Sequence, residues 1–131
     1  MERRTINPWT WQEKLGYAQA IEVTAGQRVL YLAGQTATNA DGEPRHAGDM
    51  GAQLSAALDN VEAVLAAGGY RLADLVRLNY YVTDVPAFFA GYGVVTERLA
   101  AAGCLASGTL LGVTRLARPE LLVEIEGTAV R

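Results

Sequence analysis

The clearest pattern in the chain is the alternation that closes it. From Leu121 to Val130, Leu121, Val123, Ile125 and Ala129 fall on one side of an extended strand, and Leu122, Glu124, Glu126, Thr128 and Val130 on the other. Two carboxylates thus share a face in a strand rich in large aliphatics, an arrangement that suits water, a partner or a ligand better than a core. The same period marks Val76 to Thr83, with Val76, Leu78, Tyr80 and Val82 on one face and Arg77, Asn79, Tyr81 and Thr83 on the other.

Between these strands the spacing turns helical. Asp49 stands at an N-cap position, Leu54, Leu58, Val61 and Leu65 follow on one face, and Gly68-Gly69 supply the stop. Asp84 and Pro86 open a second helix carrying Phe88, Tyr92, Val95 and Leu99 and ending at Gly103. Upstream, strand-like Leu15–Val23 and Arg28–Ala33 joined by Thr24–Gln27 predict a hairpin, and Asn39–Pro44 an exposed loop. Thr5–Trp11 reads as an irregular arm whose tryptophans plug the edge of the core or cover a cleft. Thr109–Thr114 predicts a further strand, and Ala117–Glu120 the turn into the last one.

The resulting order, β-β-α-β-α-β-β, predicts an α+β fold: a mixed sheet with two helices on one face. The opposite face would keep Leu110, Leu122, Val130 and Tyr81 among polar groups, too apolar for open water, and so predicts an oligomer.

Composition narrows the function. A chain of 131 residues, half of them hydrophobic and 19% charged, fits a single globular domain over residues 1–131. The net charge of −3, with basic residues scattered singly, argues against nucleic acid as a partner. One cysteine and one histidine allow no disulfide framework within a subunit and no zinc site of the usual His/Cys kind. No run reaches the roughly 18 apolar residues of a membrane span, and Met1–Thr5 lacks a signal-peptide core, so a cytoplasmic protein is expected.

Four stretches together resemble the reactive intermediate deaminases, the RidA or YjgF family. They are Leu32-Ala33-Gly34-Gln35-Thr36, the helix Gln53–Leu65, Tyr81-Val82-Thr83-Asp84, and Val123-Glu124-Ile125-Glu126. The resemblance implies a chorismate-mutase-like subunit, a homotrimer with clefts between subunits, and cofactor-independent hydrolysis of enamines and imines to a keto acid and ammonia. It also implies Glu124 as the residue that orients the attacking water and Tyr17 beside it as catalytic candidates. Gly34, Gln35, Gly108, Thr109 and Leu110 are the corresponding substrate-binding candidates.

The departure from the family lies at Gly108, where an arginine that clamps the substrate carboxylate is expected. The proline two residues earlier is Ala106, and the frequent cysteine is Leu110. Arg115 and Arg118 are nearby in sequence but read as solvated surface residues, and Cys104 as a packed thiol. Gly108, Leu110 and Leu111 together predict a roomier, more apolar pocket for a larger or uncharged substrate. A non-catalytic ligand-binding trimer is the alternative, and an endoribonuclease is a third reading that the acidic charge opposes.

Overall fold

The structure, a computed structural model, describes residues 1–131. Its elements are β1 (Glu2–Ile6), β2 (Ala20–Thr24), β3 (Val29–Thr36), α1 (Met50–Ala67), β4 (Leu75–Val82), α2 (Val85–Gly91), α3 (Gly93–Ala101), β5 (Ser107–Gly112) and β6 (Val123–Val130). Single 3-10 turns lie at Glu13–Leu15 and Leu72–Asp74. A four-stranded mixed sheet runs in the order β3-β6-β4-β5, with β6 antiparallel to both neighbours and β4 parallel to β5. The acid-bearing last strand is therefore central, and the expected α+β architecture holds.

Helix α1 forms where its period and cap place it. The Asp49 carboxylate accepts a hydrogen bond from the Ala52 backbone N–H at 3.0 Å, satisfying one of the donors that a helix start leaves free. Leu54, Leu58, Val61 and Leu65 are fully buried, against Leu32, Val123 and Ile125 in the same core cluster. Each such side chain contributes about 1.5–3 kcal/mol. Gln53, also fully buried, donates to the carbonyls of His46 (3.1 Å) and Glu120 (2.8 Å) and accepts from the Leu122 N–H (2.8 Å). That amide fixes the chain just before β6, which carries Glu124.

The structure corrects several local expectations. Residues 15–23 do not form one strand, and β2 does not pair with β3. It pairs antiparallel with β1, so Glu2–Ile6 is a strand and only the segment after it is irregular. The reason is competition. The N–H groups of Gln27 and Arg28 both donate to the Arg131 carbonyl at 2.8 Å, which hands β3 to β6. Arg3 ties the β1–β2 ribbon down by donating to the carbonyls of Asp74 (2.6 Å) and Val130 (3.2 Å).

The second helix is two helices meeting at Tyr92, which is flanked by Gly91 and Gly93, weak helix formers. In β4 a register shift between Leu75 and Arg77 buries Leu75 in place of Val76, from which the even alternation of Leu78, Tyr80 and Val82 resumes. The last two strands start at Ser107 and Val123, so Leu121 and Leu122 precede β6. Nor is the face opposite the helices as expected. Leu110 pairs beside inward-facing Tyr80, so it lies on the helix side, and Leu111 beside Tyr81 takes the open side. Val130 is covered, only 8% exposed, leaving Val29, Tyr31 and Leu111 as the large apolar residues of the open face.

Candidate functional site

The residues singled out by the sequence separate into two groups on opposite sides of the sheet. On the open side, strand alternation presents Glu124, with Thr36 of β3 and Tyr81 of β4 as its cross-strand neighbours. Gly34 sits at the irregularity between Leu32 and Gln35, and a Cβ there would collide with the Glu124 carboxylate. Glycine is what lets the acid lie along β3. Gly34, Gln35 and Glu124 thus come together, with the Gln35 amide donating to the Ala33 carbonyl at 3.2 Å.

The two acids of β6 differ in their surroundings. Glu126 accepts from the Tyr81 hydroxyl at 2.5 Å and from the Asn79 amide at 3.1 Å. The Tyr81 bond, then the Asn79 bond, hold its carboxyl below the usual carboxylate range, and the same bond to Glu126 pushes the Tyr81 phenol up. Glu124, two residues earlier on the same face, makes no side-chain hydrogen bond. It is the acid left free to act on something else.

On the helix side, at the β5 edge, lies a cavity of about 280 Å³. Tyr17 reaches it because residue 17 forms an isolated parallel bridge with Ala106, secured by the Ala18 N–H donating to the Ala106 carbonyl at 3.0 Å. Gly108, Thr109 and Leu110 line it as well, together with Trp11, Tyr80, Phe88 and Tyr92. Trp11 packs edge-on against Tyr17 with ring centroids 6.4 Å apart, so the arm does wall this cavity, whereas Trp9 is not among the lining residues. The Tyr92 hydroxyl donates to the Leu15 carbonyl at 2.8 Å and holds the arm's 3-10 turn in place.

No charged residue lines the cavity. Arg115 donates to the Leu116 carbonyl and Arg118 stands 4.0 Å from Glu120, and neither lines the cavity. Gly108 is more than a truncated arginine. A Cβ there would collide with the Leu78 carbonyl, so β5 approaches β4 too closely for any side chain at this position. Leu111 contributes nothing to the cavity, contrary to the sequence reading. Burial pushes the Cys104 thiol up to about 11, which suits a packed thiol.

Tyr80, Phe88 and Tyr92 were not among the candidates, because each occupies a position that periodicity assigns to a core, and Phe89 lies off that stripe. The signal available was their number: Phe88, Phe89 and Tyr92 crowd one turn of helix opposite the Tyr80 strand. In a single chain the Glu124 group and this cavity do not share a cleft.

Residues 12–131 match the family model described as endoribonuclease L-PSP. The Rid-family protein YyfB of Yersinia pestis is 39% identical, with all of both chains covered and a TM-score of 0.88. Rv2704 of Mycobacterium tuberculosis, of the YjgF/YER057c/UK114 family, is 28% identical over 99% of this chain and 100% of that one, with a TM-score of 0.64. The RutC family protein PH0854 of Pyrococcus horikoshii is 30% identical over 88% of this chain and 86% of its own. The matched residues span nearly the whole chain and include both groups of the candidate site, and the chain belongs to the endoribonuclease L-PSP family, that of the RidA and YjgF proteins.

Proposed function

We propose that the protein is a homotrimeric, cofactor-independent hydrolase of reactive imines or enamines that lack a small carboxylate. Each cleft combines the Glu124 group of one copy with the aromatic cavity of another. The observation that carries this reading is the contrast on β6: Glu126 is bound by Tyr81 and Asn79, while Glu124 lies unengaged over Gly34. The exposed Val29, Tyr31 and Leu111 support burial of the open face by other copies.

In this mechanism water adds to the carbon of the C=N bond, whose π electrons go to the nitrogen, and Glu124 accepts the water proton and passes it to that nitrogen. From the resulting carbinolamine Glu124 takes the hydroxyl proton and delivers it to the nitrogen, so that the C–N bond breaks, ammonia leaves and the carbonyl forms. Tyr17 donates a hydrogen bond to the substrate. Without a cation in the cavity, a carboxylate-bearing substrate gains no charge-assisted pair to offset its desolvation, so neutral substrates are preferred.

The test is ammonia release from a neutral imine and from an amino-acid-derived enamine made in place by a pyridoxal-phosphate dehydratase. Acceleration with the neutral imine, lost by at least a hundredfold in Glu124→Gln, is expected. Absence of acceleration with both substrates would contradict it. The neutral, aromatic lining also suits a second reading, a non-catalytic ligand-binding trimer, in which Glu124→Gln leaves ligand affinity unchanged and there is no turnover to lose. A ribonuclease finds no cation in the cavity and a net charge of −3 against it.

A further inference from the structure

The aromatic cavity has a chemistry of its own, set by which of its polar groups are already engaged. The Tyr92 hydroxyl is committed to the Leu15 carbonyl. Ser107 donates to the Val76 carbonyl at 2.9 Å, and Thr109 accepts from Arg77 at 3.0 Å. Tyr80 is different. It is only 8% exposed, it lines the cavity, and its hydroxyl has no hydrogen-bond partner in the chain. Nor is that oxygen among the sealed, unpartnered polar atoms, so it keeps some accessible surface on a residue that lines the cavity.

A phenol held this deeply by packing costs stability if it stays unpaired. Replacing it with phenylalanine would leave the ring contacts with Phe88 (centroids 5.5 Å) and Tyr92 (6.3 Å) intact, so packing alone does not require the hydroxyl. Burial, reinforced by Tyr92 and Cys104, pushes the phenol well up, and it stays protonated and able to donate at any physiological pH. Around it the walls are aromatic and aliphatic, without a charge of either sign. A ring can stack or meet these walls edge-on, whereas a carboxylate or ammonium would be desolvated without a partner. A volume of about 280 Å³ is at the small end for ligand sites and suits one substituted ring.

We infer that this cavity selects an uncharged ligand made of an aromatic ring and a hydrogen-bond acceptor next to it, an aryl ketone or the imine derived from one, and that the Tyr80 hydroxyl donates to that acceptor. This names the substrate class of the hydrolase proposed above and rests on that reading only for placing the cavity in the reacting cleft. Tyr80 is a binding and specificity residue here.

The test uses acetophenone, ethylbenzene and benzoate as probes of one shape with an acceptor, without one, and with a charge. Binding is read by tryptophan fluorescence in a Trp9→Phe background, which leaves Trp11 at the cavity wall as the only tryptophan. Acetophenone is expected to bind about five- to tenfold more tightly than ethylbenzene, the effect of one net hydrogen bond. Benzoate is expected to be at least tenfold weaker than acetophenone. Tyr80→Phe should bring acetophenone down to the ethylbenzene level and leave ethylbenzene unchanged. Binding of benzoate as tight as acetophenone, a preference that survives Tyr80→Phe, or no binding of either neutral probe would overturn the inference. Binding as expected together with no imine hydrolysis would sink the hydrolase reading alone.

Discussion

The two faces of the sheet handle polar groups in opposite ways. On the open face polar side chains are plentiful and partly paired: Glu126 takes two hydrogen bonds and Arg77 serves Thr109, while the Glu124 carboxylate and the Asn79 Oδ1 have no partner. On the helix side polar groups are few, and the spare ones, the Tyr17 and Tyr80 hydroxyls, are neutral and sit among rings. A chemical step needs a group that exchanges protons with water, and selective binding of a neutral ligand needs a dry wall with one donor. Each face offers one of these and lacks the other, which is the physical reason to place the two faces of different copies against each other.

Glycines separate the faces experimentally, since a Cβ would meet the Leu78 backbone at Gly108 and only the Glu124 side chain at Gly34. The largest effect is expected from Gly108→Ala, whose Cβ would meet the Leu78 carbonyl and part β5 from β4. We expect a loss of about 3 kcal/mol, or roughly 10 °C in Tm by calorimetry, with the cavity side disrupted first. Gly34→Ala instead meets the flexible end of Glu124. It should cost only about 1 kcal/mol by denaturant titration yet lower turnover about a hundredfold, because it displaces the carboxylate and not the strand.

Ionisation separates the faces more gently. Cys104, at the buried side, titrates near 9.0 when unfolded and about 11 when folded. Stability from this group is therefore complete below pH 9 and lost as pH rises toward 11. The slope, amounting to roughly 1–3 kcal/mol over that window, should vanish in Cys104→Ala when unfolding is followed by circular dichroism. On the open side, Glu126 has a folded value below its unfolded one, so its contribution is present above the ordinary carboxylate range and is lost as pH falls through the folded value. Tyr81→Phe removes the largest cause, and NMR titration of Glu126 should then move upward, the smallest effect of the series.

How much of this was legible in the sequence depends on how local the deciding interaction is. The faces of β6 and the buried stripe of α1 follow from period alone, since each element meets one core on one side. The hairpin did not, because Gln27 and Arg28 are taken by the Arg131 carbonyl, a partner about a hundred residues away in sequence that no local turn signal can weigh. Leu110 and Leu111 exchanged roles for the same reason: only pairing with Tyr80 and Tyr81 of β4 decides which of them meets the helices. The resemblance brought Glu124, Gly34 and Tyr17 into view. It could not show that Gly108 is required by the approach of Leu78, nor that Trp11, Tyr80, Phe88 and Tyr92 meet around a cavity, because in sequence each is an ordinary core or arm residue.

The central claim is that a working cleft takes Glu124 from one copy and the aromatic cavity from another, and mixing two inactive variants tests it most directly. Glu124→Gln removes the acid, and Leu110→Trp fills the cavity that Leu110 lines. Unfolded together and refolded, the two should form mixed trimers in which about one cleft in four is intact by random pairing, restoring imine hydrolysis to roughly a quarter of the wild-type rate. A mixture no more active than either variant refolded alone would mean that both halves act within one chain or that neither is the site.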